Sequence, residues 1–199
     1  MKKIQTVLLA LGFFLCGQAQ QDTALHTRLA AFMQVNEAMD MEKVMDYTYP
    51  KLFTLVPREQ MIEVMHATFE NEEMTIKLDS LKIDSIYPEF TLPEGRFAKV
   101  TYSMKMIMQM KKAADDTLTA EEFDERNEEV ASYMRMQYGE DKVYYNKETN
   151  SVVLYIQSPM LAIKDEHSPQ WTFINLKDED PMMDMLLSKD VQKALTNYP

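Results

Sequence analysis

Between Ala98 and Met110 every even position is apolar: Ala98, Val100, Tyr102, Met104, Met106, Met108 and Met110. The odd positions between them are Lys99, Thr101, Ser103, Lys105, Ile107 and Gln109, all but one polar. A two-residue period marks a strand with one face turned to a core. A strand of that length would extend roughly 40 Å at about 3.3 Å per residue. That exceeds most strands, so the spacing predicts one that bends or twists strongly.

Upstream the period is helical. From Thr23 to about Met39, the residues Leu25, Leu29, Phe32, Met33 and Asn36 follow one stripe. Asp40 is placed to cap a second helix carrying Met41, Val44, Met45 and Tyr47, which Pro50 should end or kink. Pro57 suits the first turn of a third helix, with Met61, Ile62, Met65 and Phe69 on one face and His66 beside it. The period then shifts to two over residues 74–87, where Leu81 and Ile83 oppose Lys82 and Asp84.

After the long strand, "AADDT" at 113–117 reads as a loop, and Thr119 with Glu122 as a capping box. The helix that follows carries Phe123, Val130, Tyr133, Met134 and Tyr138, and Gly139 closes it. "NKETN" at 146–150 joins two short strands, the second being "SVVLYIQ"; "HSPQ" turns into "WTFINL". Asp180 and Pro181 start a terminal helix that breaks near Ser188. Three helices, two or three strands, an inserted helix, further strands and a terminal helix make an α+β fold. The N-terminal helices should pack on one face of a curved antiparallel sheet, with the inserted helix and the C-terminal helix as additions.

The first residues change where this domain begins. "MKKIQTVLLALGFFLCGQAQ" has a charged start, an apolar run and a small-x-small site at Gly17-Gln18-Ala19. It predicts a secretory signal peptide over residues 1–19, cut near Ala19, with a single domain over 20–199. A lipoprotein signal through Cys16 is disfavoured by Leu15 just before it. The protein is therefore expected to be exported, periplasmic or extracellular. Cys16 is the only cysteine, so no disulfide or thiolate chemistry is expected after cleavage. No other apolar run approaches a membrane span.

Charge and glycine content remove further classes. The formal charge of −11 becomes −13 once Lys2 and Lys3 leave with the leader, which disfavours nucleic acid and anionic lipid. Of the four glycines, Gly95 and Gly139 alone lie beyond the leader. Glycine-rich phosphate loops and a Gly-x-Ser-x-Gly elbow are absent, and no cofactor is expected.

The helical start with "DYTYPKLF", the long curving strand and the late strand "WTFINL" together resemble the nuclear-transport-factor-2-like superfamily, a cystatin-like α+β roll, over roughly residues 23–177. The chain also resembles exported proteins of Bacteroidota-type bacteria. The inserted and terminal helices depart from the simplest roll. The superfamily includes ketosteroid isomerases, polyketide cyclases, ligand binders and scaffolds, so the resemblance implies a fold rather than one activity.

Three kinds of chemistry compete. Met104, Met106 and Met108 share a face and could approach copper(I). But the chain has 18 methionines, spread over helices and strands alike, and methionine is a flexible core filler. The histidines His26, His66 and His167 have no zinc spacing. An isomerase-, cyclase- or hydratase-type site needs a cavity acid with a tyrosine or acid donor, and the even face of the long strand carries no acid. The remaining reading is a pocket between helices and sheet, lined by Tyr47, His66, Tyr102, Met106, Tyr155 and Trp171. The expected function is non-catalytic binding of a small apolar ligand or a partner protein.

Overall fold

A computed structural model of the chain describes residues 23–112, 117–177 and 180–198. The leader with Cys16 and Ala19, and residues 113–116 of the loop after the long strand, lie outside the described residues. Helix α1 spans Thr23–Glu37 and buries Leu25, Leu29 and Met33, one residue per turn. Met39, at φ 56°, reverses the chain into α2, Met41–Tyr47. Asp40 caps α2 by accepting from the Lys43 amide at 3.2 Å, as its place before the apolar run predicts. Pro50 opens a short 3-10 helix, Pro50–Thr54. Helix α3, Arg58–Phe69, begins just after Pro57 rather than around it. Met41, Val44, Met45 and Ile62 knit α2 and α3 into a small core of their own.

Three strands follow: β1, Met74–Ile86; β2, Phe90–Leu92; and β3, Gly95–Met110. Then come α4, Ala120–Tyr138, and the strands β4, Val143–Asn146; β5, Ser151–Asp165; and β6, Ser168–Asn175. The chain ends in α5, Pro181–Leu186, and α6, Lys189–Leu195, with Ser188 capping α6 where the sequence predicts a break. All six strands form one open antiparallel sheet. Its centre is the β3–β5 pair, in register from Gly95 opposite Asp165 to Gln109 opposite Ser151. β1 and β2 flank β3, while β4 and β6 flank β5.

Two expectations change here. β5 is not a short strand ending at Gln157; it runs on through Pro159 to Asp165. A proline cannot donate to a ladder. Pro159 sits where its carbonyl accepts from Leu176 at 2.9 Å and the β6 pairing starts one residue later, at Met160. The second change concerns coverage. Ala98, Val100 and Tyr102 pack under α1 with Leu25, Leu29, Met33, Met160, Trp171 and Phe173. On the opposite face Phe97, Leu161, Ile163 and Ile174 are sealed by Leu186 and Val191 of the terminal helices and Leu187 between them. The runs "MLAI" and "WTFI" are apolar at both parities, as a strand buried on both faces requires.

Further along the α1-facing side, Met108 and Met110 pack with Val152, Leu154, Phe123 and Ala131 beneath α4. The Thr119–Glu122 capping box is present, and Gly139 ends the helix at φ 110°. Tyr133 and Tyr138, expected on the apolar face of α4, are exposed; Phe123, Asn127 and Ala131 are the buried positions.

Between the two cores the sheet narrows. Asp79 faces Lys105 and Lys82 faces Ser103, so Ser80 and Leu81 together oppose Met104. This is a β-bulge, with Ser80 at φ 55°, and bulges bend a strand and increase its twist. On the other edge β4 pairing stops at Leu154 and β6 pairing starts at Met160. At the level of Met104 and Ile156, β3 and β5 pair in unbroken register while β1 crosses as a bulge.

Candidate functional site

The side chains on α1 beside its buried stripe face the β5–β6 hairpin across an open cleft of about 500 Å³. Ala24 and Ala31 leave the space, Thr23 and Thr27 line its edge, and Lys164, Pro169, Gln170 and Trp171 form the hairpin wall. Tyr47 closes one end. It is held there because the end of α2 is docked on β6, with the Tyr49 amide donating to Phe173 O at 3.1 Å.

Arg28 is fixed from three sides. Its Nε donates to Trp171 O at 3.1 Å, and Nη2 donates to Asp46 O at 2.8 Å. The guanidinium carbon lies 4.0 Å from the centroid of the Tyr47 ring, a cation–π geometry. The Asp46 carboxylate pairs instead with Arg58, at 2.8 Å. Arg28 is therefore held by neutral carbonyls and a ring face, and among the described residues no carboxylate pairs with it. Trp171 is 1% exposed and takes Arg96 over its ring at 5.4 Å.

Of the residues predicted to line a pocket, Tyr47 and Trp171 meet in this cleft. Tyr102 lies in the same core as Trp171 and donates to Asn175 Oδ1 at 3.1 Å. Burial pushes its phenol up, against hydrogen bonding with Ser158 and Asn175. Met106 packs under α4, His66 is exposed on α3, and Tyr155 is half exposed beside Tyr144 on the other face of the sheet. These three do not join Tyr47 and Trp171. The copper alternative is divided too: Met104 packs against the α1 core, while Met106 and Met108 pack against the α4 core. Among the described residues, no group of three or more His, Cys, Asp or Glu is placed to hold a metal, and no helix is long and apolar enough to cross a membrane.

Arg28 and Lys164 were not foreseen. Arg28 adjoins the stripe residue Leu29, and a cation beside a core stripe is the available signal. A second constellation was also not foreseen. Tyr49, Asp165 and His167 line a smaller cleft of about 240 Å³ under the terminal helices. Tyr49 donates to Asp165 Oδ2 at 2.5 Å. Asp165 Oδ1 accepts from the amides of His167 and Ser168 at 2.9 and 3.1 Å. Burial, then the bond to Asp165, pushes the Tyr49 phenol well above the ordinary tyrosine range. One carboxylate oxygen thus closes the β5–β6 turn and the other holds Tyr49, whereas a general base needs a lone pair aimed at substrate.

A third cleft, about 440 Å³, lies at the narrowing of the sheet and is lined by Lys82, Asp84, Ser103, Lys105, Tyr155 and Gln157. Asp84 accepts from Ser103 Oγ at 3.0 Å and Gln157 Nε2 at 3.1 Å, with Lys82 Nζ at 3.4 Å. Burial raises its carboxyl, but the bonds from Gln157, Ser103 and Lys82 outweigh that and hold it below the usual range. Its polar groups satisfy one another.

Compared with protein-family models, characterised proteins and solved structures, the chain matches none.

Proposed function

We propose that this is an exported, non-catalytic binding protein that takes a small apolar ligand in the cleft between α1 and the β5–β6 hairpin. The observation that carries the reading is the combination of apolar walls, from Ala24, Ala31, Tyr47, Pro169 and Trp171, with an arginine already held in place. Pre-formed clefts of this size with few polar groups are the usual form of a small-molecule site. The order of helices and strands, which resembles the nuclear-transport-factor-2-like rolls, supports the same reading, since those folds include ligand binders. Acid–base chemistry of the isomerase, cyclase or hydratase kind has less support, because Asp165 is engaged by three structural donors.

Trp171 is the only tryptophan in the chain, so its emission reports on the α1 core and the cleft it walls. Apolar small molecules should shift that emission and raise Tm, by about 2.7 kcal/mol of stabilisation at a hundredfold excess over Kd. Thr27 is exposed and bonds only back to Thr23 O, at 2.9 Å, so Thr27→Phe should fill the cleft, keep the fold and abolish the shift. A broad panel of apolar compounds that moves neither the emission nor Tm overturns the proposal.

A further inference from the structure

We infer that the ligand of the α1–hairpin cleft carries a single anionic head group on an apolar body, with Arg28 and Lys164 as its counter-charges. The inference rests on the binding role proposed for the cleft. The formal charge of the whole chain is −11, yet among the described residues the cleft is lined by two cations and no carboxylate. Neither Arg28 nor Lys164 forms an ion pair among the described residues.

In an acidic protein an unneutralised pair of cations at the rim of an apolar cleft needs a reason. Arg28 supplies a specific one. Its Nε and Nη2 are used to fix the guanidinium on Trp171 O and Asp46 O. That leaves Nη1 and the positive charge for a ligand. A planar, pre-positioned guanidinium loses little freedom on forming a charge-assisted bond to a carboxylate or similar oxyanion. Lys164, on the opposite wall, adds a mobile point charge. The apolar body then lies along Ala24, Ala31, Tyr47 and Pro169. A polar or doubly charged ligand would leave those walls without a partner. A cationic one would meet Arg28 head-on.

The test uses three ten-carbon probes that differ only in the head: decanoate, decan-1-ol and decylamine. Trp171 emission is titrated with each at low and moderate salt. Decanoate should bind at least about tenfold more tightly than decan-1-ol, with decylamine weakest, and salt should narrow the gap. Lys164→Gln should weaken decanoate about fivefold and leave decan-1-ol unchanged. Arg28→Gln should remove the preference for decanoate. Where loss of the carbonyl bonds unfolds that variant, Lys164→Gln decides alone. Equal affinity for decanoate and decan-1-ol overturns the inference while leaving the binding role intact, as does a decanoate preference unchanged by Lys164→Gln. Binding to anionic phosphatidylglycerol vesicles without any decanoate binding also overturns it. No response to any of the three probes overturns the inference, and the binding role falls with it only where the broad panel of apolar compounds is silent too.

Discussion

Tyr49 shows how a single hydroxyl ties distant parts of the chain. It is 3% exposed, and it reaches from the end of α2 to the turn between β5 and β6 through Asp165. Tyr49→Phe keeps the ring and removes a bond to a charged acceptor, a loss of about 1.5–3 kcal/mol. The pH dependence follows from the direction of the shift. The folded phenol titrates above the unfolded one, so its contribution is complete below the ordinary tyrosine value and is lost as pH rises beyond it. In denaturant melts the wild type should therefore lose stability above about pH 10 more steeply than Tyr49→Phe. An identical slope in both proteins refutes this assignment. Residues of this kind were only partly legible in the sequence. Tyr47 and Trp171 could be picked out as large side chains with polar ends, which favour a core edge. Arg28 could not, because its role depends on two carbonyls that lie 18 and 143 positions away. His66 adjoins the apolar stripe of α3 and Tyr155 sits in an apolar run, but neither the face of α3 nor the parity of β5 could be tied to β3 without the pairing register.

At the scale of elements, local rules served well wherever a side chain acts on its own backbone. Asp40, Thr119 with Glu122 and Gly139 all cap as their positions predict, and the break foreseen near Ser188 is a cap as well. β5 escaped because the rule for proline has a geometric exception. Pro159 interrupts a strand unless its missing donor faces an unpaired edge, and whether it does is set by where β6 ends, at Asn175 opposite Met160. Coverage of both faces by helices escaped for a similar reason, since an apolar run shows that two faces are buried but not what buries them. The start of β3 offers an element-scale test. Gly95 pairs with Asp165 at the closed end of the central ladder. A Cβ placed there would sit 2.8 Å from Lys164 O and 2.9 Å from Asp165 Cβ. Backbone cannot yield as a side-chain tip can, so Gly95→Ala should cost about 1–3 kcal/mol. It should also disturb the hairpin that carries Lys164, weakening ligand binding through the backbone of that residue. Full stability with native binding would show that the strand ends separate freely.

For the whole molecule the narrowing at Met104 and Ile156 matters most. One core lies on each side of it, with α1 and the hairpin on one and α4 on the other. With β1 bulged at Ser80–Leu81 and an interval between β4 and β6, only β3 and β5 cross in unbroken register. Such a seam divides a protein into cooperative units that open with different free energies. Amide exchange should accordingly fall into two classes, with β4 and α4 in one and α1 and β6 in the other. A ligand in the cleft should slow exchange in the second class and leave the first at its apo rates. Uniform protection across both would mean that the seam transmits rather than separates. If it separates, the α4 half is free to vary in sequence, stability and attachments without retuning the cleft, and the chain is built as a binding unit carrying an independently adjustable companion.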